Sequence, residues 1–169
     1  MRDATMDDAG FDLSLLRHAD AGDPDAWPGP EADRPLSAEG RRQAELLGRH
    51  LASIGFTVDI ILSSPKARAA ETAAVVGALV GVRPRLDPRL AEGVTVAVAE
   101  SILADQAGIA SALLVGHDPD FSELVSELCG VDSLPLRKCA LARLNVPRPL
   151  SAGGARLRWL LPPDALPKG

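Results

Sequence analysis

Residues 11–16 read Phe-Asp-Leu-Ser-Leu-Leu, an apolar run of strand length that stops on Arg17 and His18. The same arrangement occurs twice more. Val58 to Leu62 (VDIIL) is a short β-branched run leading into Ser63-Ser64-Pro65, and Ser111 to Gly116 (SALLVG) leads into His117-Asp118-Pro119. Short continuous apolar runs of this kind suit strands buried on both faces, as in a parallel sheet. Helical patterns lie between them. Ser37 is placed as an N-cap, and Ala44, Leu47, Leu51 and Ile54 recur at helical spacing until Gly55. Ser64-Pro65 reads as a helix start, a hydroxyl cap followed by proline, opening an Ala-rich helix to about Val80. Residues 95–107 also read as helical. Asp118-Pro119 repeats the cap-then-proline start, and Phe121, Leu124, Val125 and Leu128 keep one apolar stripe up to Gly130.

Two further strand candidates, 138–146 and 155–161, have no strong helix between them, so they pair antiparallel or extend a sheet edge. Alternation of strand and helix at these lengths predicts a three-layer α/β/α sandwich with a mostly parallel central sheet. The domain is expected over residues 11–161, with a flexible acidic tail over 1–10 and a Pro-rich end over 162–169. The loop over 19–36, rich in Asp, Pro and Gly, is long enough to suggest function.

Composition bounds the function classes. The chain has 169 residues, 46% of them hydrophobic and 24% charged, with a net charge of −5, which suits one globular domain and neither disorder nor fibre. Only 3% is aromatic and there is no Tyr, so the core is expected to be aliphatic. The negative balance argues against a general nucleic-acid or anionic-membrane binder. No apolar run approaches the roughly eighteen residues of a membrane span, and the acidic N-terminus lacks the apolar region of a secretory signal. Cys129 and Cys139 show no zinc-knuckle spacing and read as reduced thiols. A cytoplasmic location is therefore expected.

Ligands of open α/β sheets collect beyond the carboxyl ends of the strands. If the three runs are neighbours, Arg17, His18, Arg68 and His117 converge on one sheet edge, beside helix N-termini that favour anions. A lone His or Arg at such a place is ordinarily structural. Four at equivalent topological positions describe an anion pocket containing imidazoles, and Arg matches phosphoryl oxygens bidentately. His50, late in an amphipathic helix, is given no catalytic role.

These residues carry a resemblance. Leu15-Leu16-Arg17-His18-Ala19-Asp20 resembles the signature of the histidine phosphatase superfamily, the phosphoglycerate mutase-like fold, with Ala19 where many members have Gly. The likeness continues through Asp33-Arg34-Pro35-Leu36-Ser37-Ala38-Glu39-Gly40, Ser63-Ser64-Pro65, Arg68-Ala69, Thr72-Ala73 and Val115-Gly116-His117-Asp118-Pro119. Together these segments, over roughly residues 11–130, are similar to the SixA-type branch of small phosphohistidine phosphatases, a minimal version of the fold without large insertions.

The resemblance implies a nucleophilic His18 that becomes a transient phosphohistidine, with Arg17, Arg68 and His117 holding the phosphoryl oxygens. It also implies that Glu92, in Leu90-Ala91-Glu92-Gly93, is a candidate general acid, and that Arg34 borders the pocket mouth. No metal or other cofactor is expected, because two guanidiniums can supply the fixed charge that phosphoryl transfer needs. The expected partner is a phosphorylated substrate, foremost a protein carrying phosphohistidine, acted on by a monomer or weak dimer. Two alternatives stand beside this reading: a small-molecule phosphomonoesterase of the same superfamily, and a phosphate-binding regulatory module without turnover.

Overall fold

A computed structural model describes residues 10–167. Six strands, β1 (Phe11–Arg17), β2 (Ile60–Ser63), β3 (Arg85–Leu86), β4 (Ser111–Gly116), β5 (Leu141–Val146) and β6 (Arg156–Leu161), form one sheet in the order β3-β2-β4-β1-β5-β6. The pairings β2–β3, β2–β4 and β1–β4 are parallel, while β1–β5 and β5–β6 are antiparallel. The sheet is thus mostly parallel, and the two late strands both pair antiparallel and build one edge. β4 lies between β1 and β2, so the three apolar runs are consecutive neighbours.

Four helices cover the two faces: α1 (Ala38–Ser53), α2 (Ala67–Val80), α3 (Val96–Ala104) and α4 (Asp120–Cys129). Strand alternation assigns the layers. Leu113, Val115, Ile61 and Leu16 pack with Leu47 and Leu51 of α1 and Ala69, Ala73 and Val76 of α2. Ala112, Leu114, Leu13, Leu15 and Leu62 pack with Ala99, Ile102 and Leu103 of α3 and Phe121, Leu124 and Val125 of α4. Both cores are overwhelmingly aliphatic, as the composition implied.

The helix ends show where local signals were read well and where not. Ser37 caps α1, its hydroxyl accepting from the Gly40 amide, and left-handed Gly81 and Gly130 close α2 and α4. Ser64, however, is not the cap of α2. That helix starts at Ala67, and the Ser64 hydroxyl instead accepts from the Lys66 amide. Likewise α4 starts at Asp120, although Asp118 still satisfies its first turn by accepting from the Ser122 amide and hydroxyl. β2 begins two residues later than the β-branched run suggested. β3 was not foreseen, because it has two residues, both exposed.

The expected tail over 1–10 lies, apart from Gly10, outside the described residues. Past residue 161 the chain makes a short turn over Pro163–Ala165, and Leu166 packs into the core that includes α1. Cys129 and Cys139 are both free thiols.

Candidate active site

The parallel register of β1 and β4 pairs Arg17 with Gly116, so the residues that follow, His18 and His117, leave the sheet side by side. The His18 amide prolongs the ladder by donating to the Gly116 carbonyl at 2.9 Å, and the Cys139 amide donates to the His18 carbonyl at 3.0 Å. On the other flank of β4, the Ser64 amide donates to the Val115 carbonyl at 2.9 Å. Three strand ends are thereby locked at one level, and α2 delivers Arg68 from its first turn.

His18 is only 7% exposed. Its Nδ1 lies 2.7 Å from the Ala19 carbonyl, which can only accept, so Nδ1 carries the proton and Nε2 the lone pair. Arg68 Nε donates to that Nε2 at 3.3 Å. Burial, followed by the charges of Arg68, Arg17 and Arg34, lowers the His18 pKa to about 4, while the Ala19 bond opposes the shift. The imidazole is therefore neutral at neutral pH, as a nitrogen nucleophile must be.

His117 is also buried, with its ring centroid 5.2 Å from that of His18. Its Nε2 is 2.8 Å from the Ser64 hydroxyl, and burial, then the charges around it, lower its pKa to about 3. Its Nδ1 is buried without a partner, and so is Nε of Arg17. Nη1 of the Arg17 guanidinium is held by the Leu136 carbonyl at 2.9 Å and by Asp118 at 3.3 Å. Buried polar nitrogens are rarely left unpaired, and two in one small cluster mark a place where a ligand completes the bonding. Guanidiniums, an imidazole and unpaired nitrogens around a neutral nucleophile suit a tetrahedral oxyanion.

The sequence-derived set divides on inspection. Arg17, His18, Arg68 and His117 are brought together. Arg34 is 9% exposed, but it chiefly braces the 19–36 loop, donating to the Ala21 and Gly22 carbonyls at 2.7 and 3.2 Å and gripping Glu31. Glu92 is exposed, in the loop between the turn Pro88–Leu90 and α3, and makes no hydrogen bond or ion pair with the cluster. Among the described residues, no cluster of His, Cys, Asp or Glu is arranged to hold a metal ion.

Three contributors escaped the sequence reading. Ser64 was read as a cap, yet it touches His117. Thr72 ties the two halves of the site, accepting from the Ala19 amide at 3.1 Å and donating to the Arg68 carbonyl at 2.7 Å. Glu31 pairs with Arg68. Close-packing glycines let the parts approach: a Cβ at Gly116 would sit 2.6 Å from the Phe121 ring, and one at Gly40 would collide with the Asp20 carbonyl.

A parallel α/β sheet presenting a neutral His between Arg side chains at its carboxyl edge defines a class of enzymes that handle phosphoryl groups. Within that class the chain belongs to the histidine phosphatase superfamily, whose branch 1 it matches over residues 13–132. An uncharacterised protein of Picosynechococcus sp. is 34% identical over 174 residues, covering 90% of this chain and all of the other. The phosphohistidine phosphatase SixA of Escherichia coli is 27% identical over 156 residues, covering 88% of this chain and 92% of SixA. In three dimensions the chain resembles the protein histidine phosphatase SixA complexed with tungstate, with a TM-score of 0.79, 24% identity, and coverage of 91% and 98%. This likeness shows that the two share a fold.

Proposed function

We propose that this protein is a phosphohistidine phosphatase working through a covalent phosphohistidine of its own at His18, without a metal. One observation carries the reading. A neutral His18 has its proton fixed on Nδ1 and its Nε2 lone pair beside Arg68, next to two buried nitrogens, Arg17 Nε and His117 Nδ1, that have no partner. The homology to SixA, a phosphohistidine phosphatase, and the tungstate held by a SixA of the same fold support it.

In this reading His18 Nε2 attacks phosphorus in line with the leaving group. A nitrogen–phosphorus bond forms at His18 as the substrate's phosphorus–nitrogen bond breaks, and a substrate ring protonated at its other nitrogen departs as neutral imidazole. Water then attacks the phosphorus and His18 is released. Arg17, Arg68 and His117 hold the equatorial oxygens, where charge is spread in the transition state. The Ser64 hydroxyl lies 2.8 Å from His117 Nε2; in this reading it donates there, which keeps the His117 proton on Nδ1 as a donor to the phosphoryl group. The two guanidiniums supply the fixed positive charge that other phosphoryl-transfer sites take from a metal. Free thiols at Cys129 and Cys139 suit a reducing compartment such as the cytoplasm.

No general acid is needed for an imidazole leaving group, which agrees with an exposed Glu92. An alkoxide leaving group does need one. The test follows from that difference: the enzyme, in buffer with chelator, is assayed on a carrier protein phosphorylated at histidine and on a panel of phosphomonoesters. Turnover is expected chiefly on the phosphohistidine protein. A clear preference for a phosphomonoester, or activity that vanishes with chelator and returns with metal, overturns the reading.

A further inference from the structure

Glu31 has no part in the chemistry just described, yet it occupies one of that chemistry's main tools. It stands on the turn Glu31–Asp33 of the 19–36 loop. Its main-chain carbonyl accepts from Arg68 Nη1 at 3.0 Å, and its carboxylate Oε1 pairs with Arg68 Nη2 at 3.1 Å. With Nε turned to His18, every nitrogen of the Arg68 guanidinium is engaged. A phosphoryl oxygen arriving at His18 recovers Nε once Nε2 turns to phosphorus, but Nη2 is still held by a carboxylate.

That carboxylate is not free to swing away. Arg34 grips it from the other side, Nε on Oε2 at 3.0 Å and Nη2 on Oε1 at 2.9 Å, and Arg34 is itself anchored to the Ala21 and Gly22 carbonyls. The Arg34 hydrogen bond is also the main cause that holds the Glu31 pKa below the usual carboxylate value. The Glu31 side chain is 53% exposed while that of Arg68 is 8% exposed, so the carboxylate sits on the solvent side of the guanidinium it shares. A fixed negative charge at this rim acts in two ways. It competes with any bare dianion for Arg68, and it offers a vacated acceptor to whatever the phosphoryl group is attached to.

We propose that Glu31 sets the charge selectivity of the site, disfavouring phosphoryl groups on carriers without a donor. It favours those on a nitrogen carrier, such as a phosphorylated imidazole, whose N–H or positive charge replaces Arg68 as the partner of the carboxylate. The assignment rests on the phosphatase reading above and names the leaving-group class that the rim selects.

The experiment compares the wild-type chain with Glu31→Gln on three probes: inorganic phosphate by calorimetry, and p-nitrophenyl phosphate and free phosphohistidine by kcat/KM. A partly exposed, salt-screened pair gives modest effects, so phosphate is expected to bind roughly fivefold tighter to the variant. Turnover of p-nitrophenyl phosphate should rise by a similar factor while that of phosphohistidine falls, because only the second probe can replace Arg68. A folding defect would lower both. Glu31→Ala repeats the phosphate measurement without an amide beside Arg34 and should give the same sign. Phosphate binding equal or weaker in both variants, or two substrates moving together, overturns the assignment of Glu31 alone. A wild-type chain that turns over neither phosphohistidine nor p-nitrophenyl phosphate overturns the phosphatase reading itself, and this one with it.

Discussion

Replacing His18 with Asn should make the protein less sensitive to acid, because the nucleophile is kept neutral at a cost to the fold. The unfolded imidazole titrates near 6.5, whereas the folded one titrates at about 4 for His18 and about 3 for His117. A base whose folded pKa is depressed leaves the unfolded chain holding more protons below pH 6.5, so stability is lost as pH falls from there toward the folded value. At pH 5 both rings are still neutral in the native state while the unfolded rings are almost fully charged. Each histidine then removes about 2 kcal/mol relative to pH 7.5, or about 4 kcal/mol together. This figure is insensitive to how strongly the two rings interact, since neither is charged in the native state at that pH.

For a chain of this size such a loss corresponds to a fall in Tm of roughly 10 °C. Carboxylates contribute little here: Asp20, held at about 2 chiefly by the Lys138 hydrogen bond, loses its stabilising effect only as pH drops below the ordinary value of 3.8. The assay is urea or thermal unfolding of wild type and His18→Asn at pH 7.5 and pH 5. The variant is expected to lose about half as much stability as wild type between the two. Equal losses in both proteins would refute the buried, neutral state assigned to His18.

Three further expectations follow from the same geometry. Ser64→Ala removes the bond that fixes the His117 proton and should lower kcat roughly tenfold with little change in folding, while Ser64→Thr restores it; equal rates in wild type and Ala variant would dismiss the tautomer argument. Glu92→Gln is expected to keep phosphohistidine turnover within about twofold, since an imidazole leaving group needs no acid; a collapse of that rate in steady-state assays would return Glu92 to the mechanism. Gly40→Ala forces a methyl into the Asp20 carbonyl and should cost about 1–3 kcal/mol in denaturant titration, an overpacking effect that an unchanged midpoint would contradict.

Much of the fold and the heart of the site could be read from the chain because the signals were local. Each apolar run ends directly on a residue of the candidate site, so placing β1, β2 and β4 side by side was enough to gather Arg17, His18 and His117, with Arg68 one helical turn further on. Signals that compete locally were read less well. A serine before proline caps many helices, but Ser64 is drawn off by His117, and α2 begins only at Ala67. Arg34 falls in a motif that resembles the rim of a pocket, and what the motif does not show is that its bonds to Ala21, Gly22 and Glu31 also brace the loop. Glu31 could not be found at all, because its meeting with Arg68 depends on how that loop folds back across 37 positions of sequence. β3 has two exposed residues and therefore no hydrophobic period to detect.

The central claim is that His18 carries the phosphoryl group between substrate and water. Rapid quench of the enzyme with phosphohistidine substrate, followed by peptide mass spectrometry under conditions that preserve phosphorus–nitrogen bonds, tests it most directly. One acid-labile, alkali-stable phosphoryl group is expected on the peptide containing His18, and neither adduct nor turnover in His18→Asn. Phosphate released at the wild-type rate by His18→Asn, or a phosphoryl group trapped on a different residue, would contradict it.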